Sequence, residues 1–220
     1  NDNKQHLKNS IKINKWYKQN PIRRFCKNCH KKTLQKFIKN FLIDYYVCSN
    51  CSHLNGKYED TEKFAKNLYF KNSGKNYYKN YLNDYESRVK NIYIPKVDFL
   101  KKVIKQKINL LDIGSGGGHF LKALERKTIN AQGLEPSKVL CQLGNAKLKK
   151  NKLINSDFNE IYKIVESQNK FNTISLIGVL EHLINPHLLL KSFLKGKAKF
   201  LYISVPLFSF CAPLKTPSSV

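Results

Sequence analysis

The first residues with clear chemistry are four cysteines arranged as two pairs. Cys26 and Cys29 form one Cys-x2-Cys pair, Cys48 and Cys51 form the second, and eighteen residues separate the pairs. A tight turn in each pair brings two thiolates to one metal, and two such turns complete a tetrahedron. The spacing predicts a structural Zn²⁺ site that is closed by four sulfur ligands. The alternative, two disulfides or buried thiols, is less favoured because nothing in the sequence indicates an oxidising compartment.

A glycine-rich segment carries the second chemical signal. Residues 110–120 read LLDIGSGGGHF, an apolar strand that meets a glycine cluster and then a predicted helix. Glycines let the backbone bend sharply and let a ligand approach, and a helix start offers unpaired N–H groups. The segment lacks the Gly-Lys-Ser/Thr end of a P-loop, and His119 stands where a dinucleotide fingerprint has its third glycine. What remains is Asp-x-Gly-x-Gly-x-Gly.

A second acid supports a nucleoside ligand. Glu135 ends the next predicted strand, 21 residues after Gly114. A carboxylate at this distance accepts hydrogen bonds from ribose hydroxyls. On its own such an acid is as often a solvated strand end, but together with the glycine loop it predicts a cofactor that contains a nucleoside.

Four motifs in this order and spacing resemble the class I S-adenosylmethionine-dependent methyltransferases, over about residues 108–207. The motifs are Leu111–Gly118, Gly133–Ser137, Asn155–Phe158 and Gly178–His182 with Pro186. The resemblance implies an α/β fold with a Rossmann-like doubly wound parallel sheet, S-adenosylmethionine as the cofactor, and methyl transfer as the reaction. It also implies two strands beyond the five that can be counted, so we expect a chain truncated at its C-terminus with an exposed sheet edge.

The resemblance also implies which residues bind the cofactor. The acid and glycines of the loop would hold the methionine part, the acid of the second strand the ribose, and the third motif the adenine. Residues after the fourth strand, including Glu181, would line the pocket near the donor methyl. The expected set is Asp112, Gly114, Ser115, Gly116, Gly118, Phe120, Glu135, Pro136, Asp157, Phe158, Val179 and Leu180.

Two histidines are candidates for roles in the site. His182 is the expected catalytic base, because the pKa of imidazole lies near working pH and the residue follows the fourth strand. The alternative is that His182 only orients its loop by hydrogen bonding. His119 is expected to cap or line the cofactor loop.

The cysteine module suggests a class of acceptor. Residues 46–56, YVCSNCSHLNG, and the tyrosine-rich segment after them resemble, more loosely, methyltransferases of sugar and surface-polysaccharide biosynthesis. This resemblance implies a small hydroxylated acceptor, a nucleotide-linked or lipid-linked sugar. The tyrosines form either a packed helix face or a cap over the cofactor; they are Tyr69, Tyr77, Tyr78, Tyr81, Tyr85 and Tyr93.

The elements that position these residues are predicted from the pattern of apolar and polar residues along the chain. We expect a polar, frayed lead-in over residues 1–20, a zinc-ribbon module over 21–57, a helical linker or cap over 58–107, and the methyltransferase domain over 108–220. Pro95 is expected to open a helix through Phe99, Leu100, Val103 and Ile104. Alternating strands and helices predict a parallel sheet covered on both faces. The predicted strands are Asn109–Ile113, Ala131–Glu135, Lys152–Asn155, Asn172–Ile177 and Phe200–Val205.

Two other functions remain open, and the charge of the chain bears on the first of them. Forty Lys and Arg against fifteen Asp and Glu give a net charge of +25, which suggests a polyanionic partner. Only four of the forty are arginines, and Lys, Asn and Ile share A/T-rich codons, so compositional drift explains the balance as well. An RNA methyltransferase and a non-catalytic cofactor-binding scaffold remain alternatives. A transmembrane segment and a secretory signal are not seen, which predicts a cytoplasmic protein.

Overall fold

A computed structural model of the chain describes residues 2–32, 38–39, 44–67 and 84–206. The chain divides into two compact units, residues 1–68 with 207–220 and residues 69–206. Four tyrosines of the tyrosine-rich segment lie outside the described residues: Tyr69, Tyr77, Tyr78 and Tyr81. No helix within the described ranges is long and apolar enough to cross a membrane.

The described residues of the first unit form two helices and a small antiparallel sheet in the order β1-β2-β3. Thr61 caps the second helix by accepting a hydrogen bond from the backbone N–H of Phe64. The elements are α1 (Asp2–Tyr17), β1 (Ile38–Lys39), β2 (Asp44–Val47), β3 (Leu54–Gly56) and α2 (Glu62–Lys66).

Helix α1 replaces the frayed lead-in expected from the sequence. Its last residue, Tyr17, is buried, and the hydroxyl donates to the carbonyl of Tyr58 at 2.6 Å and accepts from the Tyr58 N–H at 3.2 Å. The Tyr17 ring also packs against the rings of Tyr58 and Phe64, with 5.4 Å between centroids in each pair. A polar helix is therefore anchored by one aromatic residue at its end, which sequence periodicity alone does not reveal.

The second unit is built on the parallel five-stranded sheet that the sequence predicts. Its strand order is β6-β5-β4-β7-β8, and every neighbouring pair is parallel. The predicted α/β Rossmann-like fold is confirmed, and each strand end lies within one residue of its predicted position. The strands are β4 (Asn109–Ile113), β5 (Asn130–Glu135), β6 (Lys152–Asn155), β7 (Thr173–Ile177) and β8 (Phe200–Ser204).

Helices cover both faces of this sheet. Successive residues of a strand point to opposite faces, and Leu110 and Leu111 accordingly belong to two separate apolar clusters. Buried residues of α4, α5 and α6 fill the first cluster, and those of α7 and α8 fill the second. The helices are α3 (Tyr85–Arg88), α4 (Ile94–Val103), α5 (His119–Arg126), α6 (Lys138–Lys147), α7 (Phe158–Ser167) and α8 (Pro186–Lys195).

The helix expected to open at Pro95 in fact continues from α3. A π-helical turn over Val89–Tyr93 joins α3 to α4, and the Ile94 N–H bonds to the carbonyl of Val89. Proline lacks an N–H and its ring collides with the carbonyl four residues earlier, so a wider turn before it relieves the conflict. The buried face of α4 is also rotated from the expected one. Val97, Leu100 and Ile104 are buried, whereas Phe99 and Val103 are 55% and 58% exposed.

Candidate functional site

The glycine loop between β4 and α5 bends at three residues with left-handed backbone conformation. The φ angles of Gly114, Gly116 and Gly118 are 68°, 54° and 76°, in the region that side chains disfavour. The first turn is also closely packed, because a Cβ on Gly114 would lie 2.5 Å from Cγ2 of Val179. The loop is tied to β5 by the Gly114 and Ser115 N–H groups, which both donate to the carbonyl of Leu134.

Glu135, at the end of β5, contacts this loop directly. One carboxylate oxygen accepts from the Gly116 N–H at 2.7 Å, and the other accepts from the Ser137 N–H at 2.8 Å. The side chain is buried, and burial raises its pKa although both N–H groups oppose that shift. The two strongest signals in the sequence, the loop and the acid after it, are therefore brought together.

Asp112 belongs to β4 and pairs with Ser175 of β7. The strand order of the sheet reverses between these two strands. The Ser175 hydroxyl donates to the Asp112 carboxylate at 2.6 Å, and both side chains are buried. Burial raises the pKa of Asp112 to about 7, with the Ser175 hydrogen bond opposing the shift and the charge of Glu135 adding to it. Ligands of open α/β sheets bind at such a reversal, outside the carboxyl ends of the strands. Sequence reasoning missed Ser175, whose only signal was a hydroxyl inside an apolar strand.

The third motif links β6 to the end of β5. The Asn155 side-chain amide donates to the carbonyls of Glu135 and Pro136, each at 2.9 Å. Asp157 is exposed at the start of α7, and the side chain of Phe158 lies outside the described residues. Asn155 was part of the motif without an assigned role. In the structure it fixes the backbone beside the Glu135 carboxylate.

The fourth motif forms a 3₁₀ turn, Leu180–His182, after the carboxyl end of β7. Gly178 precedes it with a φ of 63°, and the His182 backbone N–H bonds to the carbonyl of Val179. The Val179 side chain is buried against Gly114, Leu180 is partly buried, and the His182 side chain is exposed. Val179 is therefore the residue of the fourth motif that packs against the glycine loop.

Phe120 is an expected binding residue whose side chain lies in the core. Its ring is buried in the core, 6.3 Å from the ring of Tyr93 and 6.2 Å from that of Tyr202. Only its backbone N–H, in the first turn of α5, remains available to a ligand at the loop. A separate groove of about 380 Å³ lies between α7 and the β5–β6 side of the sheet. It includes Asn155 and Ser156 but no residue of the glycine loop.

The four cysteines of the first unit form a compact cluster. Their sulfur atoms all lie within 4.8 Å of one another, with 3.6 Å between Cys26 and Cys51 and between Cys29 and Cys48. None of the four is in a disulfide, so the pairing considered from the sequence is not formed. Four sulfurs bound about 2.3 Å from one tetrahedral ion would lie about 3.8 Å apart, so the cluster can hold such a metal.

The two cysteine pairs have the same backbone geometry. In each pair the first cysteine accepts a hydrogen bond from the residue four positions later, and its own N–H donates to the carbonyl five positions later. The residue after each second cysteine is left-handed, with φ of 57° at both His30 and Ser52. These repeated turns explain why two residues separate the cysteines within each pair, since only a tight turn aims both sulfurs at one point.

Asn55 supports this cluster and was missed by sequence reasoning. It is buried, its side-chain amide donates to the Cys26 sulfur at 3.3 Å, and its side-chain carbonyl accepts from the Lys27 N–H. The pKa of the Cys29 thiol is lowered to about 6, and the hydrogen bond from the Lys31 N–H is the largest cause. N–H donors directed at sulfur stabilise thiolates, the form that binds metal.

Comparison with protein families places the second unit. Residues 85–211 match the family model described as a methyltransferase domain. The chain belongs to this methyltransferase domain family. The match spans the whole parallel sheet and the four motifs, and it confirms the resemblance to class I S-adenosylmethionine-dependent methyltransferases. No curated protein sequence matches the chain.

Solved structures similar to the chain are distant. The plantazolicin methyltransferase BpumL, in complex with a pentazolic analogue and SAH, is 18% identical, with 67% of this chain and 56% of BpumL covered and a TM-score of 0.47. A methyltransferase from Archaeoglobus fulgidus is 21% identical, with 57% and 59% covered and a TM-score of 0.44. A TehB-like methyltransferase from Corynebacterium glutamicum is 16% identical, with 59% and 71% covered and a TM-score of 0.48. The chain spans about half the length of the BpumL structures.

Proposed function

We propose that the protein is an S-adenosylmethionine-dependent methyltransferase that acts on a small hydroxylated acceptor. The observation that carries this proposal is the hydrogen bond between Gly116 and Glu135 at the carboxyl ends of β4 and β5. It brings a side-chain-free bend and an acid together at one edge of the sheet, in a chain of the methyltransferase domain family. The proposed cofactor pocket lies at this edge and suits a ligand with an amino-acid tail and a nucleoside diol.

The proposed cofactor contacts follow from the donors and acceptors in the pocket. Each Glu135 oxygen accepts one N–H and keeps a lone pair for a ribose hydroxyl. The glycine turns and the first N–H groups of α5 suit the carboxylate of the methionine part. The carboxylate of Asp112 would bind its amino group. Asp157 and Phe158 would bind the adenine, and Val179 and Leu180 would line the methyl pocket.

The reaction needs alignment more than chemical assistance. When bound, the cofactor would supply a methyl group on a sulfonium, and transfer would form a bond from the acceptor atom to carbon as the carbon–sulfur bond breaks. Holding donor and acceptor in line contributes most of the rate. His182 is exposed after β7 and would accept the proton that the acceptor hydroxyl loses. Its exposed imidazole can also release that proton to water.

The acceptor is proposed to be a nucleotide-linked or lipid-linked sugar. The support is the looser resemblance of residues 46–56 to sugar and polysaccharide methyltransferases. The ion in the cysteine cluster is proposed to be structural Zn²⁺, because four thiolates leave no ligand position for water or substrate. Methylation of a panel of nucleotide sugars and lipid-linked sugars, followed by mass spectrometry, tests the acceptor class.

Calorimetry with S-adenosylmethionine on the full-length protein tests the proposed enzyme. We expect saturable binding and a thermal shift, and a lower affinity in Glu135→Gln. No binding heat together with no thermal shift would support the non-catalytic scaffold instead.

One specific observation favours RNA as an alternative acceptor. Residues 3–43 contain no Asp or Glu, and five exposed lysines of this segment repeat at three- and four-residue spacing along α1 and just beyond it. Such spacing aligns them on one helix face. The buried residues Asn14 and Tyr17 lie outside this face. The lysines are Lys4, Lys8, Lys12, Lys15 and Lys18.

Salt-dependent RNA binding tests this alternative. For a single strand, removing one lysine–phosphate interaction should reduce the slope of log affinity against log salt by about 0.7. Replacing Lys8 and Lys12 by Glu should therefore flatten the slope, whereas the same change at the exposed Lys90 and Lys101 of the second unit should not. If no RNA binding is detected at low salt, the RNA alternative is excluded.

A further inference from the structure

His119, directly after the glycine loop, is enclosed by two tyrosine rings. Its side chain is 2% exposed. The ring of Tyr85 lies 4.1 Å from the imidazole between centroids, at 32°, and the ring of Tyr93 lies 5.6 Å away, at 25°. Both tyrosines belong to the helical segment before the sheet, so a segment remote in sequence holds the residue that starts α5.

The π-helical turn explains how both tyrosines reach one histidine. Residues eight apart in a regular α-helix are rotated by about 80° and face different directions. A π turn accommodates one additional residue, so Tyr85 and Tyr93 behave as if seven apart and differ by only about 20°. The turn ends two residues before Pro95, whose missing N–H disfavours a regular helix there. The sequence feature that sets the tyrosine face is therefore the proline.

The stack forms one of two supports for the end of the loop. On one side, Gly118 and Gly117 lie against α6, where a Cβ on Gly118 would be 3.3 Å from Cα of Gly144. The second support is His119, which follows Gly118 directly and whose ring packs against the rings of Tyr85 and Tyr93. The left-handed Gly118 has no side chain of its own to hold this position.

We infer that His119 is a positioning residue, and that the stack of its ring with Tyr85 and Tyr93 keeps the glycine loop in its cofactor-binding shape. The inference deepens the proposed function and rests on it for the identity of the ligand. His119 acts through the backbone of the loop rather than by touching the reacting atoms. A preorganised loop loses less conformational freedom when a ligand binds, so loosening it should weaken affinity.

Cofactor affinity in folded variants tests the inference. His119→Ala and Tyr93→Leu remove the stack, and each should raise the dissociation constant of S-adenosylmethionine by about tenfold. Tyr93→Phe keeps the ring, so its affinity should stay within about twofold of the wild-type value. Val97→Ala serves as the matched control, because Val97 is fully buried in the same apolar cluster without belonging to the stack. It should lower the melting temperature but leave affinity unchanged.

Amide hydrogen exchange provides a second readout that needs no ligand. His119→Ala should speed exchange at residues 114–120 beyond any change in Val97→Ala. If His119→Ala lowers only the melting temperature, with affinity and loop exchange as in the control, the inference is overturned and the stack is merely structural. If the wild type binds no S-adenosylmethionine, the proposed function fails. The exchange experiment then still decides whether the stack orders the loop.

Discussion

The backbone N–H of Gly116 donates to the carboxylate of Glu135 at 2.7 Å, across the ends of two neighbouring parallel strands. This contact places a buried acid at the middle turn of the glycine loop. Backbone donors of the loop and the carboxylate oxygens of Glu135 therefore lie side by side at the carboxyl ends of the two strands. The assignment to S-adenosylmethionine binding depends on the cofactor pocket that we propose there.

Glu135→Gln tests the charge of that acid. The amide keeps the shape of the side chain but loses the charge, and hydrogen bonds to charged groups contribute about 1.5–3 kcal/mol. We therefore expect a loss of about 10- to 100-fold in S-adenosylmethionine affinity by calorimetry. Glu166→Gln, on the exposed part of α7, is the control and should bind normally. Equal affinity in both variants would remove Glu135 from the binding site.

Gly114→Ala tests the close packing of the first loop turn. A left-handed alanine costs about 1–2 kcal/mol, and here its Cβ would also collide with Val179. Gly178→Ala has a similar φ, yet the nearest atom would be 3.8 Å away, so only the backbone cost applies. We expect a clearly larger drop in melting temperature for Gly114→Ala. Adding Val179→Ala should recover part of it, and no recovery would contradict the collision.

The raised pKa of Asp112 predicts a pH effect on stability without cofactor. The pKa rises from 3.8 to about 7 on folding, so the folded state holds a proton that the unfolded state has lost between these values. This contribution to stability is complete below pH 3.8 and declines as pH rises towards 7. Asp112→Asn should flatten the decline in the free energy of unfolding over this range. An unchanged pH profile in the variant would contradict the assignment.

The cysteine cluster predicts one bound zinc per chain. Metal analysis of freshly purified protein should find about one equivalent, and less than about half would contradict a structural site. Cys29→Ser should abolish stoichiometric metal and destabilise the first unit. Cys141→Ser is the control, because Cys141 is buried in the second unit, where its sulfur donates to the Leu153 carbonyl. Its metal content should match the wild type.

Sequence reasoning succeeded where a local pattern determines the geometry. The glycine loop and its strands are predicted because turns, apolar runs and helix starts are encoded within a few residues. It failed where distant residues meet. Ser175 reaches Asp112 from a strand 63 positions away, and Asn55 reaches Cys26 across 29 positions. The π turn was missed because proline usually opens a helix, whereas here it interrupts one.

Amide hydrogen exchange with and without S-adenosylmethionine tests the central claim most directly. The account predicts that the cofactor slows exchange at residues 112–120 and 133–137, on both sides of the pocket between the loop and Glu135. Binding that protects neither segment, or the absence of any binding to the full-length protein, would contradict it.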